Sequence, residues 1–183
     1  PLFTFIGRLV HEKGADLLTE IGSVALSRNP GEINILILGS GDTNVENGLS
    51  SLKNCYTGNY NAYIGYNEKL AHIIYAGADY LLMPSRVEPC GLNQMYALRY
   101  GTIPIVRRTG GLKDTVLDYG EGGFGICHDN TSVYDVNHSI TRGIDLFNNK
   151  IKFDEVRKTS MKINHSWDKV AEEYIEIYQS LIK

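Results

Sequence analysis

The chain has 183 residues and a mass of 20.4 kDa, enough for one ordinary domain whose core needs no disulfide or metal staple. Its 18 Lys and Arg against 21 Asp and Glu leave a net charge of −3, which argues against a broad phosphate-neutralising surface and hence against general nucleic-acid binding. With 43% apolar and 21% charged residues the composition excludes disorder, collagen and coiled coil, and no apolar run reaches the ~18 residues of a membrane span.

In chain order, short apolar runs alternate with amphipathic stretches. A strand is expected over 2–6 and a helix over 15–28, where Leu17, Leu18, Ile21, Val24 and Ala25 share one face. The run Ile33-Asn34-Ile35-Leu36-Ile37-Leu38 reads as a strand covered on both faces, followed by Gly39-Ser40-Gly41-Asp42 as a turn and a helix over 44–53. Next come a strand over 61–64, a helix over 67–76 that Asn67 can cap, and a strand over 79–83. A helix over 91–100, a strand over 103–106, a helix over 111–119 and a strand over 124–126 complete the alternation. Only helical patterns follow, over 133–148, 153–164 and 167–182, and they are expected to pack on the sheet and its neighbours. The pattern predicts an α/β fold: a doubly wound, Rossmann-like parallel sheet of about six strands, helices on both faces, and a helical C-terminal third.

The start of the chain carries no initiator Met and no basic-then-apolar leader, and Pro1 opens directly on a strand pattern, as expected of a piece of a longer protein. Cys55, Cys90 and Cys127 are odd in number and form no C-x-x-C pair, so a reducing, cytoplasmic compartment (or an organelle, after loss of a transit peptide) is expected. The five histidines show no metal-ligand spacing.

In such a fold ligands sit at the carboxyl ends of the strands, which directs attention to five loops. Gly7-Arg8-Leu9-Val10-His11-Glu12-Lys13-Gly14 sets two cations before a helix, suited to a diphosphate or else merely solvated. Gly39–Asp42 is a partial G-x-G with no acidic residue about twenty positions on, which disfavours a nicotinamide dinucleotide. Tyr66, in Gly65-Tyr66-Asn67-Glu68, can stack on a nucleobase or simply pack. In Pro84-Ser85-Arg86-Val87-Glu88-Pro89-Cys90-Gly91-Leu92-Asn93-Gln94 one carboxylate precedes a helix start, an arrangement able to hold a polyol and a phosphate. The alternatives are an ordinary surface carboxylate at Glu88 and a small buried hydrophobe at Cys90. Arg107-Arg108-Thr109-Gly110-Gly111-Leu112 is either a ligand loop or a turn with solvated arginines.

Together these segments resemble the C-terminal domain of bacterial glycogen synthases and plant starch synthases, retaining glycosyltransferases of the GT-B type. The resemblance rests on Gly7-Arg8-Leu9 with Lys13-Gly14, Ile64-Gly65-Tyr66, Pro84 to Gln94, Arg107 to Val116 and Ser166-Trp167, in order over essentially the whole chain. It implies a single domain over 1–183, the nucleotide-sugar-binding half of a GT-B enzyme whose N-terminal acceptor domain is absent. It implies that Arg8 and Lys13 meet the diphosphate, that Tyr66 stacks on adenine, and that Glu88 with the backbone of Cys90 and Gly91 holds the glucose. The N–H groups of Leu92 and Asn93 would meet the distal phosphate. The implied reaction moves glucose from ADP-glucose (or UDP-glucose) to the end of an α-1,4-glucan with retention, without cofactor or metal, the glucan being held through the absent domain. An isolated chain is then expected to be inactive. Two positions depart from the pattern: Tyr96 stands where many relatives carry a second Glu, leaving ribose recognition unassigned, and Asn93 stands where many carry Thr. A GT-B enzyme with a sucrose or lipid-linked acceptor, or a non-catalytic nucleotide- or glucan-binding module, are the alternatives.

Overall fold

The computed structural model describes residues 1–182. Six parallel strands, β1 (Leu2–Leu9), β2 (Asn34–Gly41), β3 (Tyr60–Ile64), β4 (Tyr80–Met83), β5 (Ile103–Arg107) and β6 (Ile126–His128), form one sheet in the order β3-β2-β1-β4-β5-β6. Helices α1 (Leu18–Arg28), α2 (Thr43–Cys55), α3 (Glu68–Gly77), α4 (Asn93–Tyr100), α5 (Gly110–Thr115), α6 (Val133–Asn148), α7 (Lys150–Ser160) and α8 (Trp167–Leu181) complete it.

Strand alternation explains the two layers. On one face Phe3, Phe5, Ile35, Ile37, Leu82 and Ile105 pack against α1, α2, α6 and α7, with Ile21, Leu49, Ile140 and Phe153 among the contributors. On the other, Leu81, Met83, Val106 and Cys127 pack against Tyr75 of α3, Ala97 of α4 and Leu112 of α5. Burying both faces requires nearly continuous apolar strands, and β4 and β5 are buried at all but one position. The one buried strand hydroxyl in β1, Thr4, is satisfied by donating to the Leu36 carbonyl at 2.7 Å. As expected, Asn67 caps α3 by accepting from the Leu70 N–H at 2.9 Å.

Several boundaries differ from the sequence pattern. β1 runs on through Gly7-Arg8-Leu9, and β2 through Gly39-Ser40-Gly41, so these residues are strand and not loop. The reason is close approach: a Cβ on Gly39 would lie 2.1 Å from the Gly7 carbonyl oxygen, and one on Gly41 2.4 Å from that of Leu9. The glycines therefore serve strand contact rather than a tight turn. The helix expected over 15–28 begins as 3-10 turns and becomes α-helical at Leu18. The helix expected over 111–119 stops at Thr115, and the last strand starts at Ile126 rather than 124. α7 runs Lys150–Ser160, earlier than expected. The expectation that the whole helical third packs is corrected at α8: Trp167, Tyr174, Ile175, Ile177, Tyr178 and Leu181 are all exposed.

Candidate ligand site at the carboxyl edge of the sheet

In the order β3-β2-β1-β4-β5-β6 the chain reverses direction across the sheet between β1 and β4, which opens a crevice at their carboxyl ends. A 3-10 turn, His11–Lys13, follows β1, and the segment 84–92 follows β4. Because β1 and β4 are neighbours, the two segments meet. Lys13 Nζ lies 2.5 Å from Glu88 Oε2, and Ser85 Oγ donates to the same oxygen at 3.2 Å. Glu88 is only 5% exposed, whereas the Lys13 side chain keeps 26% of its surface.

This pairing is held from three sides. From the turn after β1, the Glu12 carbonyl accepts from the N–H groups of Arg86 and Val87 at 2.8 and 3.1 Å. The Arg86 guanidinium donates to the His11 carbonyl at 2.7 Å and, in a fork, to both Asp16 oxygens at 2.5 and 3.0 Å. Burial works upward on the Asp16 carboxyl, but the Arg86 hydrogen bonds and charge outweigh it and hold the group below its ordinary range. Gly14, at φ +68°, lets the segments touch: a Cβ there would lie 2.3 Å from the Pro84 carbonyl oxygen. From the end of β5, Arg107 donates to the carbonyls of Ser85 and Arg86 at 2.9 and 2.8 Å. From α5, the Gly111 N–H donates to the Glu88 carbonyl at 3.0 Å.

A cavity of about 360 Å³ opens at the carboxyl ends of β1, β2 and β3, lined by Arg8, Ser40, Tyr66, His72, Asn93 and Tyr96 among others; Lys13 and Glu88 are not in its lining. Arg8 of β1 lines it, is exposed, and makes no hydrogen bond or ion pair among the described residues. Tyr66 is 84% exposed on the rim, its hydroxyl 3.3 Å from Glu68. Asn93 ties the start of α4 to β1 by donating to the Ile6 carbonyl at 2.6 Å. That bond gives its side chain a structural task.

Of the residues singled out in the sequence, Lys13 and Glu88 are thus in direct contact, and Arg8, Tyr66 and Asn93 line the cavity. Arg8 does not pair with Glu88. Cys90, Gly91 and Leu92 do not line the cavity; they form the link from Glu88 to α4. Cys90 is exposed, which removes the reading of it as a buried hydrophobe. Gln94 Nε2, fully buried on α4, holds the link by donating to the carbonyls of Cys90 and Gly91 at 3.0 and 3.1 Å and lying 3.1 Å from Thr115 Oγ1. Arg107 and Arg108 are not simply solvated: Arg107 clamps backbone carbonyls, and Arg108 pairs with Glu121 at 3.0 Å and Asp129 at 3.4 Å. The sequence did not mark Asp16, Arg86, Arg107 and Gln94 as site supports; Arg86 and Gln94 stand in the segment that carries Glu88, whereas Asp16 just past the first loop and Arg107 in the fifth had only their charge as a signal.

Among the described residues no group of three His, Cys, Asp or Glu side chains is placed to hold a metal ion, and no helix is long and apolar enough to cross a membrane.

A family model described as "Glycosyl transferases group 1" matches residues 1–150. The chain is 62% identical over all 183 residues to a glycogen synthase of Flavobacterium johnsoniae, covering 39% of that protein. It is 43% identical over 182 residues to one of Thermodesulfovibrio yellowstonii, covering 35%. The chain thus spans well under half the length of these curated relatives. Its structure is similar to the catalytic domain of starch synthase IV from Arabidopsis thaliana, solved bound to ADP and acarbose, with a TM-score of 0.86, 30% identity, and 98% of this chain and 38% of that chain covered. It also resembles sucrose-phosphate synthase from Thermosynechococcus elongatus, with a TM-score of 0.72 over 99% of this chain and 45% of that one; at 20% identity that likeness concerns the fold alone.

Proposed function

The chain belongs to the glycosyl transferases group 1 family, and from that membership we propose that it is the nucleotide-sugar-binding half of a glycogen or starch synthase, a retaining hexosyltransferase of the GT-B type acting in the cytoplasm. The single domain over 1–183 binds ADP-glucose, or UDP-glucose, and the intact enzyme passes its glucose to the non-reducing end of an α-1,4-glucan held by an N-terminal domain. The observation that carries the reading is the Lys13–Glu88 contact at the strand switch point, on the same sheet edge as a cavity lined by Arg8, which has no partner among the described residues.

The roles follow from the donors and acceptors left over. Breaking the sugar C1–O bond throws negative charge onto the departing diphosphate, and preorganised cations stabilise that charge where it grows. Arg8 has no hydrogen-bond partner among the described residues, which leaves its guanidinium donors for that charge. Lys13 has three N–H bonds, and the contact with Glu88 engages one. Glu88 spends Oε2 on Lys13 and Ser85, while Oε1 makes no hydrogen bond among the described residues and can accept from a sugar hydroxyl. The backbone of Cys90 and Gly91 completes the sugar contacts, and the free N–H groups of Leu92 and Asn93 at the start of α4 face the distal phosphate. Tyr66, exposed on the rim, stacks on the base. Placement and electrostatics then carry the reaction. The test is release of ADP from ADP-glucose by the full-length protein: release dependent on an added maltooligosaccharide supports the reading, and release indifferent to acceptor, or none with either nucleotide sugar, overturns it.

A further inference from the structure

The cavity wall formed by α3 and α4 contains a feature that these roles leave unused. Four rings from α3 and α4 form a cluster there. His72 meets Tyr75 and Tyr96 edge-on, with centroids 6.3 and 6.0 Å apart, and Tyr75 stacks on Tyr100 at 6.2 Å with 7° between planes. His72 Nδ1 lies 3.1 Å from Tyr100 Oη. His72 and Tyr96 line the cavity and Tyr100 does not, so Nδ1 is directed away from the space that Arg8 and Tyr66 share. The other ring nitrogen, Nε2, has no partner among the described residues. A phenol donates more readily than it accepts, and a neutral imidazole that accepts at Nδ1 carries its proton on Nε2. With Tyr100 as the donor to Nδ1, the ring takes the Nε2–H tautomer and keeps that N–H unspent among the described residues. Such preorganisation is what a polar contact in a small-molecule site requires.

We propose that His72 is a nucleoside-reading residue, its Nε2–H donating to an acceptor on the base or ribose of the bound nucleotide, while Tyr100 acts as a positioning residue that sets the His72 tautomer. The inference rests on the nucleotide reading above and adds to it a contact from the α3–α4 wall of the cavity.

The test is calorimetric titration of the full-length protein with ADP and, separately, with inorganic pyrophosphate. His72→Phe keeps a ring in the cluster and removes both nitrogens. It is expected to raise the ADP Kd about tenfold while leaving the pyrophosphate Kd within about twofold, the loss of one ligand hydrogen bond. Tyr100→Phe, which keeps the stack and frees the tautomer, is expected to raise the ADP Kd about threefold, again with pyrophosphate unmoved. In the unsubstituted protein the ring nitrogen shifts of His72 should report the Nε2–H tautomer and should move with ADP and not with pyrophosphate. ADP binding unchanged in His72→Phe, equal weakening of both ligands, or an Nδ1–H tautomer overturns the proposal and leaves the nucleotide reading standing. Failure of the unsubstituted protein to bind either ligand overturns both.

Discussion

Two buried carboxylates, Asp118 and Glu88, are equally withdrawn from water, at 4% and 5% exposure, yet they are built for different ends. Asp118 has every acceptor position spent inside the protein. Arg142 donates to Oδ1 at 2.6 Å and Oδ2 at 3.0 Å, the Gly120 N–H to Oδ1 at 2.8 Å and the Cys127 N–H to Oδ2 at 2.7 Å. Arg142 in turn covers the Tyr119 ring, 5.0 Å from its centroid. Glu88 has one oxygen engaged and one without a hydrogen bond among the described residues. The saturated buried ion pair joins the 118–127 segment to α6; the half-saturated one at the carboxyl edge of the sheet keeps one oxygen without a partner among the described residues. If Glu88 has the role proposed above, burial does not separate the two acids, and unspent hydrogen-bonding capacity does.

The comparison can be broken most sharply at Asp118. Asp118→Ala strands the Arg142 guanidinium and two backbone N–H groups, and is expected to cost about 3–5 kcal/mol of stability, against about 1 kcal/mol for Glu88→Gln, whose Lys13 partner can reach water. Denaturant titration of both variants checks this, and equal losses would erase the distinction.

On the functional side, Lys13→Ala and Arg8→Ala are each expected to weaken ADP binding by about 1–3 kcal/mol through loss of a charge-assisted hydrogen bond, read by calorimetry on the full-length protein. Unchanged affinity in both would move the diphosphate elsewhere. Tyr66→Ala should weaken ADP by about 1 kcal/mol and leave pyrophosphate untouched; equal effects on the two ligands would refute stacking.

The smallest effect lies in pH. Burial pushes the Asp118 carboxyl up, but hydrogen bonds from Arg142, Cys127 and Gly120 outweigh it and hold the group below its ordinary 3.8. A carboxyl depressed in the native state contributes stability that is present above 3.8 and is lost as pH falls through the lower native value. The stability gap between the unsubstituted protein and Asp118→Ala should therefore narrow below 3.8, and a gap independent of pH would contradict the assignment.

Much of the fold was legible in the chain because doubly covered strands must be apolar throughout: runs such as Ile33 to Leu38 and Ile103 to Val106 announce themselves. The ends of β1 and β2 were not, since Gly7 and Gly39-Ser40-Gly41 carry turn chemistry and only the neighbouring strand reveals why glycine is needed. The same limit governs the site. Glu88, Lys13 and Arg8 stand out by residue type at strand ends. Arg86 on Asp16 and Arg107 on the carbonyls of Ser85 and Arg86 depend on β1, β4 and β5 lying side by side, which no local pattern states. The amphipathic pattern of α8 was plain, and its exposure was not, because a helical stripe says nothing of what lies opposite.

The account turns on Glu88 as an acid free to engage a sugar, and the direct measurement is glucose transfer from ADP-glucose to a maltooligosaccharide by full-length Glu88→Gln, alongside its unfolding free energy. Turnover lower by about 10²–10³, the scale of losing a group that acts where charge develops, with stability within about 1 kcal/mol of the unsubstituted protein, is the expected result. Turnover within a few-fold of the unsubstituted enzyme, at full stability, would contradict it.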